Sequence, residues 1–153
     1  MKAKFETLSK DQFAAWEQWK RGVEQAAANA TSAVLHQMEA RAKDVAAGQF
    51  KGVGRLAGSI TVRKDSKLSG KGGPTVIYGR IQELGGTIYP KGHPYLAFYW
   101  AAAPAEMRRL PDGRVLARHV TLPPRPYLKP GVEIVKPLIG SIVAAEMEKA
   151  LGG

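Results

Sequence analysis

Three histidines, His36, His93 and His119, are the side chains of this chain best suited to bind a metal or move a proton near neutral pH. They fall in a helical stretch, a turn and a strand, and none has a second histidine or a carboxylate at the spacing of a zinc site. They read as surface or structural histidines. Metal-assisted phosphodiester cleavage needs clustered carboxylates to hold its ions. Between residues 51 and 129 only Asp65, Glu83, Glu106 and Asp112 are available, and Asp65 and Asp112 belong to expected loops. Ser59 and Ser141 have no base beside them in the sequence, and capping or packing explains both. Ser69-Gly-Lys-Gly-Gly73 lacks the rest of a phosphate-binding loop, because Gly72 stands where Ser or Thr must follow the lysine. Gly54-Arg-Leu-Ala-Gly58 precedes a strand, whereas a dinucleotide fingerprint follows one. With no cysteine, a thiolate nucleophile and a disulfide framework are excluded. The expectation is a protein with no catalytic residues, no metal site and no cofactor.

The composition is that of a folded domain, with 44% hydrophobic and 24% charged residues among 153. Met1 to Leu8 carries charges throughout and has no signal-peptide core. The longest apolar run, Tyr95 to Ala105, is only 11 residues and contains Pro104, against about 20 for a spanning helix. Neither export by a signal peptide nor a membrane span is expected. The net charge of +10 is concentrated between residues 51 and 129, which hold 14 Lys and Arg against 4 Asp and Glu. Such a region favours a nucleic acid or an acidic protein surface as neighbour, or serves as a solvated basic face. Its cations, among them Lys64, Lys67, Lys71, Lys91, Arg108, Arg109, Arg114 and Arg118, fall mainly on loops and strand edges. That placement argues against a groove-reading helix and leaves non-specific contact with phosphates open.

Ser9-Lys-Asp-Gln12 has the form of a capping box and starts a helix. Phe13, Trp16, Trp19, Val23, Ala26, Ala27, Ala30, Val34, Met38, Ala42 and Val45 then recur at helical spacing as far as Gly48. A helix over 10–47 is about 57 Å long at 1.5 Å per residue, so it either breaks near Gly22 or Asn29–Ser32 or packs partly on another subunit. Gly54 to Ile60 reads as a helical turn running into a strand over 60–64, and the glycine- and lysine-rich Asp65–Pro74 as a mobile loop. Thr75–Gly79 reads as a second strand paired with the first. Thr87–Tyr89 and Tyr95–Trp100 flank turn chemistry at Pro90-Lys-Gly-His-Pro94 and predict a hairpin. A basic connection, Pro104–Gly113, leads to a strand over 114–122. Val132 to Leu151 is an amphipathic helix opened by Pro130, with Pro137 kinking it or setting its start. The expected architecture is a single α+β domain over 1–153, in which an antiparallel sheet of four or five short strands is packed by a long N-terminal helix and a C-terminal helix.

Three segments, in this order, resemble the tail-completion or tail-to-head joining proteins of long-tailed bacteriophages, including the related minor tail and virion-morphogenesis proteins. They are Gly54-Arg-Leu-Ala-Gly-Ser-Ile60; Tyr78 to Ile88, with Pro90-Lys91 and Tyr95-Leu-Ala-Phe98; and Val120-Thr-Leu-Pro-Pro-Arg-Pro-Tyr-Leu-Lys-Pro130 before a terminal helix. The matching positions are Glu83, Gly85, Gly86, Arg125, Pro126, Tyr127 and Leu128. By the resemblance, the aromatic-plus-Glu-Gly segment ends a strand and the Arg-Pro-aromatic-Leu segment leads into the last helix. Physical chemistry agrees with structural roles: Gly85-Gly86 permits positive φ, Pro124 and Pro126 hold an extended approach, and Tyr127 and Leu128 can bury against the sheet. Glu83 and Arg125 are of opposite charge and could join the two segments.

The resemblance implies a structural protein of the virion neck, assembled in the host cytoplasm as a ring of copies of itself, often six. Its other partners would be the tail tube protein and the head-tail connector or an adjacent neck protein, with possible non-specific contact with packaged DNA and no membrane. The basic segments, with Lys67 and Lys71 in one and Arg108 and Arg109 in the other, are the candidate docking loops. The alternative is a small basic nucleic-acid-binding module.

Overall fold

The Ser9 hydroxyl accepts the backbone N–H of Gln12 at 3.2 Å while the Gln12 side chain accepts the Ser9 N–H at 2.9 Å, so the capping box forms as the sequence predicts. It opens α1, Lys10–Gln49, an unbroken helix of 40 residues in the computed structural model, which describes residues 7–50, 54–100 and 103–152. The charged N-terminal residues 1–6 lie outside the described residues. The helix continues through both Gly22 and Asn29–Ser32, the sites where a break was conceivable. Gln25 donates to Asn29 at 2.9 Å, and the hydroxyls of Thr31 and Ser32 donate to the carbonyls of Ala27 and Ala28. Phe50 caps the end, its N–H bonded to the Ala46 carbonyl.

The chain divides into two compact units, one formed by residues up to Thr75 together with Tyr127 onward, the other by Val76–Pro126. In the first unit, α2 (Gly54–Gly58) turns into β1 (Ile60–Lys64), as expected. Its partner β2 is Gly70–Pro74, with Ile60 opposite Pro74 and Lys64 opposite Gly70. The strand expected over 75–79 therefore lies one segment earlier, inside the linker expected to be a mobile loop. Glycine makes this possible. A Cβ on Gly70 would overlap Leu35 of α1, and one on Gly72 would fall 2.7 Å from Val62 Cγ1, so these two positions of the strand leave no room for a side chain.

Beyond residue 127 the expected single helix is two. α4 (Leu128–Val135) and α5 (Ile139–Leu151) are joined by a 3₁₀ turn, Lys136–Leu138. Pro137 sits in that turn, where it has no N–H to give and its ring would crowd the preceding carbonyl of a continuous helix. Pro130 lies in the first turn of α4, where proline is tolerated. Both helices pack on α1. The buried residues of α1 are Ala26, Ala28, Ala30, Ala42 and Ala46, and such small side chains let helix backbones approach. The core is completed by Leu56, Ile60, Phe50, Tyr127 and Val135. Tyr127 is fully buried and meets Phe50 edge to face, centroids 6.0 Å apart at 87°. The ring that receives Tyr127 thus belongs to the end of α1, while half-buried Leu128 lines an apolar cavity with Ile60 and Val62 of β1.

The second unit holds α3 (Gly79–Leu84), which stands where a strand was expected from the resemblance, and four strands. β3 (Gly86–Ile88) pairs with β6 (Val120–Leu122), and β4 (Leu96–Phe98) with β5 (Val115–Ala117), all antiparallel. The hairpin expected around Pro90–Pro94 and the single strand expected over 114–122 are both replaced. The two pairings are nested, an inner ribbon within an outer one, with residues 89–95 of one arm facing only 118 and 119 of the other. The proline-glycine segment is thus a wide bulge in one arm. Tyr89, at its start, reaches across to His119, ring centroids 5.9 Å apart. The class is α+β, as expected, with the strands of the described residues in three two-stranded ribbons in place of one sheet.

Candidate interaction surfaces

The two segments that carry most of the resemblance meet through their backbones. The Arg125 N–H donates to the Gln82 carbonyl at 2.8 Å, and the β3–β6 register sets Gly86 opposite Leu122 and Ile88 opposite Val120. Across the same ribbon the hydroxyls of Thr87 and Thr121 lie 3.1 Å apart. Gly85, φ +68°, and Gly86, φ +144°, adopt the positive φ that the sequence suggests, and this turns the chain from α3 into β3. A Cβ on Gly85 would stand 2.7 Å from the Pro124 nitrogen, so the Pro123–Pro126 approach runs directly over this turn. Glu83 lies in the last turn of α3, beside Gln82.

The candidate docking residues lie in hydrogen-bonded turns and on strands. Lys67 sits in the tight connection between β1 and β2, where Asp65 and Ser66 both donate backbone N–H groups to the Ser69 carbonyl. Its ammonium lies 3.5 Å from Glu24 of α1, and Lys71, on β2, lies 3.3 Å from Asp65. Both pairs are exposed, a setting in which ion pairs contribute little stability. Arg108 and Arg109 lie alongside β5. The Leu116 N–H bonds to the Arg108 carbonyl at 2.9 Å, Arg109 bridges to Val115, and the Arg109 guanidinium donates to the Ala103 carbonyl. Val115, held by Phe98 on one side and Arg109 on the other, is fully buried. The turn ahead of it is closed by Asp112, which accepts from the Arg114 backbone and guanidinium, and these bonds hold its carboxyl below the usual carboxylate range.

Among the described residues no group of three or more His, Asp or Glu is placed to hold a metal ion, and no helix is long and apolar enough to cross a membrane. His36 does have a carboxylate neighbour that sequence spacing overlooked. Glu39, one turn on, approaches it at 3.6 Å and also pairs with Lys43. Glu39 is held below the ordinary carboxylate value, chiefly by the Lys43 hydrogen bond. Ser59 and Ser141 donate to the carbonyls of Leu56 and Leu138, which are local capping contacts.

Among the exposed apolar side chains of the described residues, aromatic rings gather in two places. On α1, Trp16 and Trp19 stack with centroids 5.1 Å apart and remain about half exposed, beside exposed Phe13. α5 runs back along α1 and ends with Leu151 against Gly22, so it does not reach these aromatics. The periodicity that placed them on the core face was right about the stripe, but among the described residues no element of the first unit extends over this end of it. In the second unit Tyr89, Tyr95, Tyr99 and Trp100 are exposed, and beneath the last two lies a cleft of about 560 Å³. Phe98, Trp100, Met107, His119, Leu122 and Arg125 line it. Sequence reasoning missed this cleft, whose walls come from residues far apart in the chain.

No family model matches the chain, and neither curated proteins nor solved structures provide a match.

Proposed function

We propose that this protein is a structural component of a phage neck that completes the tail and joins it to the head connector, acting as an oligomeric ring. The observation that carries the reading is the joining of the Tyr78–Ile88 and Val120–Pro130 segments, which bear the resemblance, through the β3–β6 ladder and the Arg125–Gln82 bond. Support comes also from the uncovered aromatics. Phe13, Trp16 and Trp19 lie beyond the reach of α5, and surface of this kind is what subunit contacts bury. A Glu83–Arg125 ion pair belongs to the same proposal. So does docking of the basic segments bearing Lys67, Lys71, Arg108 and Arg109 on an acidic neighbour such as the tail tube or connector.

The decisive experiment is a phage lacking this protein. Full heads beside unjoined tails are expected, and normal virions would refute the reading. For the docking segments, charge reversal at Lys67 and Lys71 is preferable to deletion, because deletion would remove β2. Normal joining by the reversed variant would exclude the Lys67–Lys71 segment. The second reading, a nucleic-acid-binding module, is favoured by the basic excess over residues 51–129. Steep salt-dependent binding to duplex DNA by a monomer or dimer would support it.

A further inference from the structure

We propose that the cleft of the second unit receives an unpaired nucleotide of a nucleic-acid strand, the base stacking on Trp100 and the phosphate facing Arg125. At about 560 Å³, the cleft falls within the roughly 300–1,000 Å³ typical of ligand pockets. Its lining follows the chemistry of single-strand recognition, in which aromatic faces stack bases and nearby cations hold the backbone. Phe98, Tyr99 and Trp100 are consecutive, with Tyr99 73% and Trp100 43% exposed, so ring surface is presented outward as well as inward. His119 is steadied against Tyr89, and Arg125 is anchored through its backbone to Gln82.

The electrostatics select the same occupant. Residues 76–126 carry seven Lys and Arg against three acids, Glu83, Glu106 and Asp112. None of these acids lines the cleft, and Asp112 is already held by Arg114. An anion therefore enters a positive field. A duplex would offer no free ring face to Trp100, and an acidic peptide would satisfy Arg125 while leaving most of the aromatic wall unused. The inference goes beyond the neck-protein reading, stands on the second unit alone, and replaces the Glu83–Arg125 pair of that reading by a phosphate on Arg125.

The test uses the full chain at fixed salt with a ten-residue oligothymidylate, an abasic strand of equal length, a duplex and an acidic peptide as probes. The oligothymidylate should bind at least about tenfold tighter than the abasic strand and quench tryptophan fluorescence, the size expected for stacking one base. Trp100→Ala and Arg125→Gln should each weaken binding by about tenfold, whereas joint replacement of Trp16 and Trp19 by Phe should preserve both affinity and quenching. Trp100→Phe, which keeps a stacking ring in a conservative substitution, should lose no more than about threefold. Equal binding of the abasic strand or the duplex would overturn the proposal. So would tighter binding of the peptide, or equal losses with Phe and Ala at position 100.

Discussion

Gly131 of α4 rests directly on the backbone of Ala42 in α1, so close that a Cβ there would fall 2.7 Å from both the Ala42 nitrogen and its Cα. Both residues are buried, and neither backbone can yield without moving its helix. Gly131→Ala should therefore cost about 1–3 kcal/mol of stability through overpacking. Gly140→Ala is the control. Position 140 lies in α5 with no atom within 4 Å of an added Cβ, and alanine there should gain about 0.5–1 kcal/mol. Urea denaturation of the two variants makes the comparison, and equal effects would show that the α1–α4 approach is looser than described.

Gly85 offers a second backbone test. Its φ of +68° and the nearby Pro124 nitrogen penalise any side chain twice. Gly85→Ala is expected to cost about 1–3 kcal/mol. Gly92 has a similar φ of +75° but open space around it, so Gly92→Ala should cost less. The difference between the two, read from thermal melts, isolates the steric part.

The edge-to-face pair of Phe50 and Tyr127 can be measured by a double-mutant cycle. With each ring replaced by leucine singly and together, a coupling of about 0.5–1.5 kcal/mol is expected. Coupling indistinguishable from zero would mean that the two rings contribute only their burial.

Glu39 gives a pH dependence with a definite sign. Its folded pKa is depressed, mainly by Lys43, so its contribution is present above the unfolded value of about 4.3 and is lost as the pH falls through the folded one. Compared with Glu39→Gln, the native chain should be more stable at pH 7 by about 0.3–0.5 kcal/mol, the usual size of such a helix pair. That margin should shrink toward pH 3. A margin that grew on acidification would reverse the assignment.

Local chemistry was legible in the residues. The Ser9–Gln12 box, the turn of α2 into β1, the positive φ at Gly85-Gly86 and the interruption at Pro137 each depend on a few neighbours, and each is found where the sequence put it. Pairing over long separations was not. Pro90-Lys-Gly-His-Pro94 has the same turn chemistry whether it closes a hairpin or bulges from a longer ladder, and only the partners of β3 and β4 decide between them. β2 escaped notice because four of its five residues are Gly or Pro, a composition that reads as loop until Gly70 is seen to lie against Leu35 of α1 and Gly72 against Val62 of β1. The apolar stripe of α1 identified a face without revealing that its covering helix stops at Gly22. The cleft around Trp100 draws on residues from Phe98 to Arg125, and no spacing rule collects them.

The division of the chain at Thr75 and Tyr127 also sets an order of events at the ribosome. The alanine face of α1 emerges early, yet the helices that cover it, α4 and α5, begin only at Leu128. Through synthesis of the whole second unit, the nascent first unit must carry an unsealed helix, because residues 50–127 separate α1 from the helix that closes over it. Contacts of such long sequence separation form slowly, so the first unit is the later of the two to complete and the part most exposed to misassociation during synthesis.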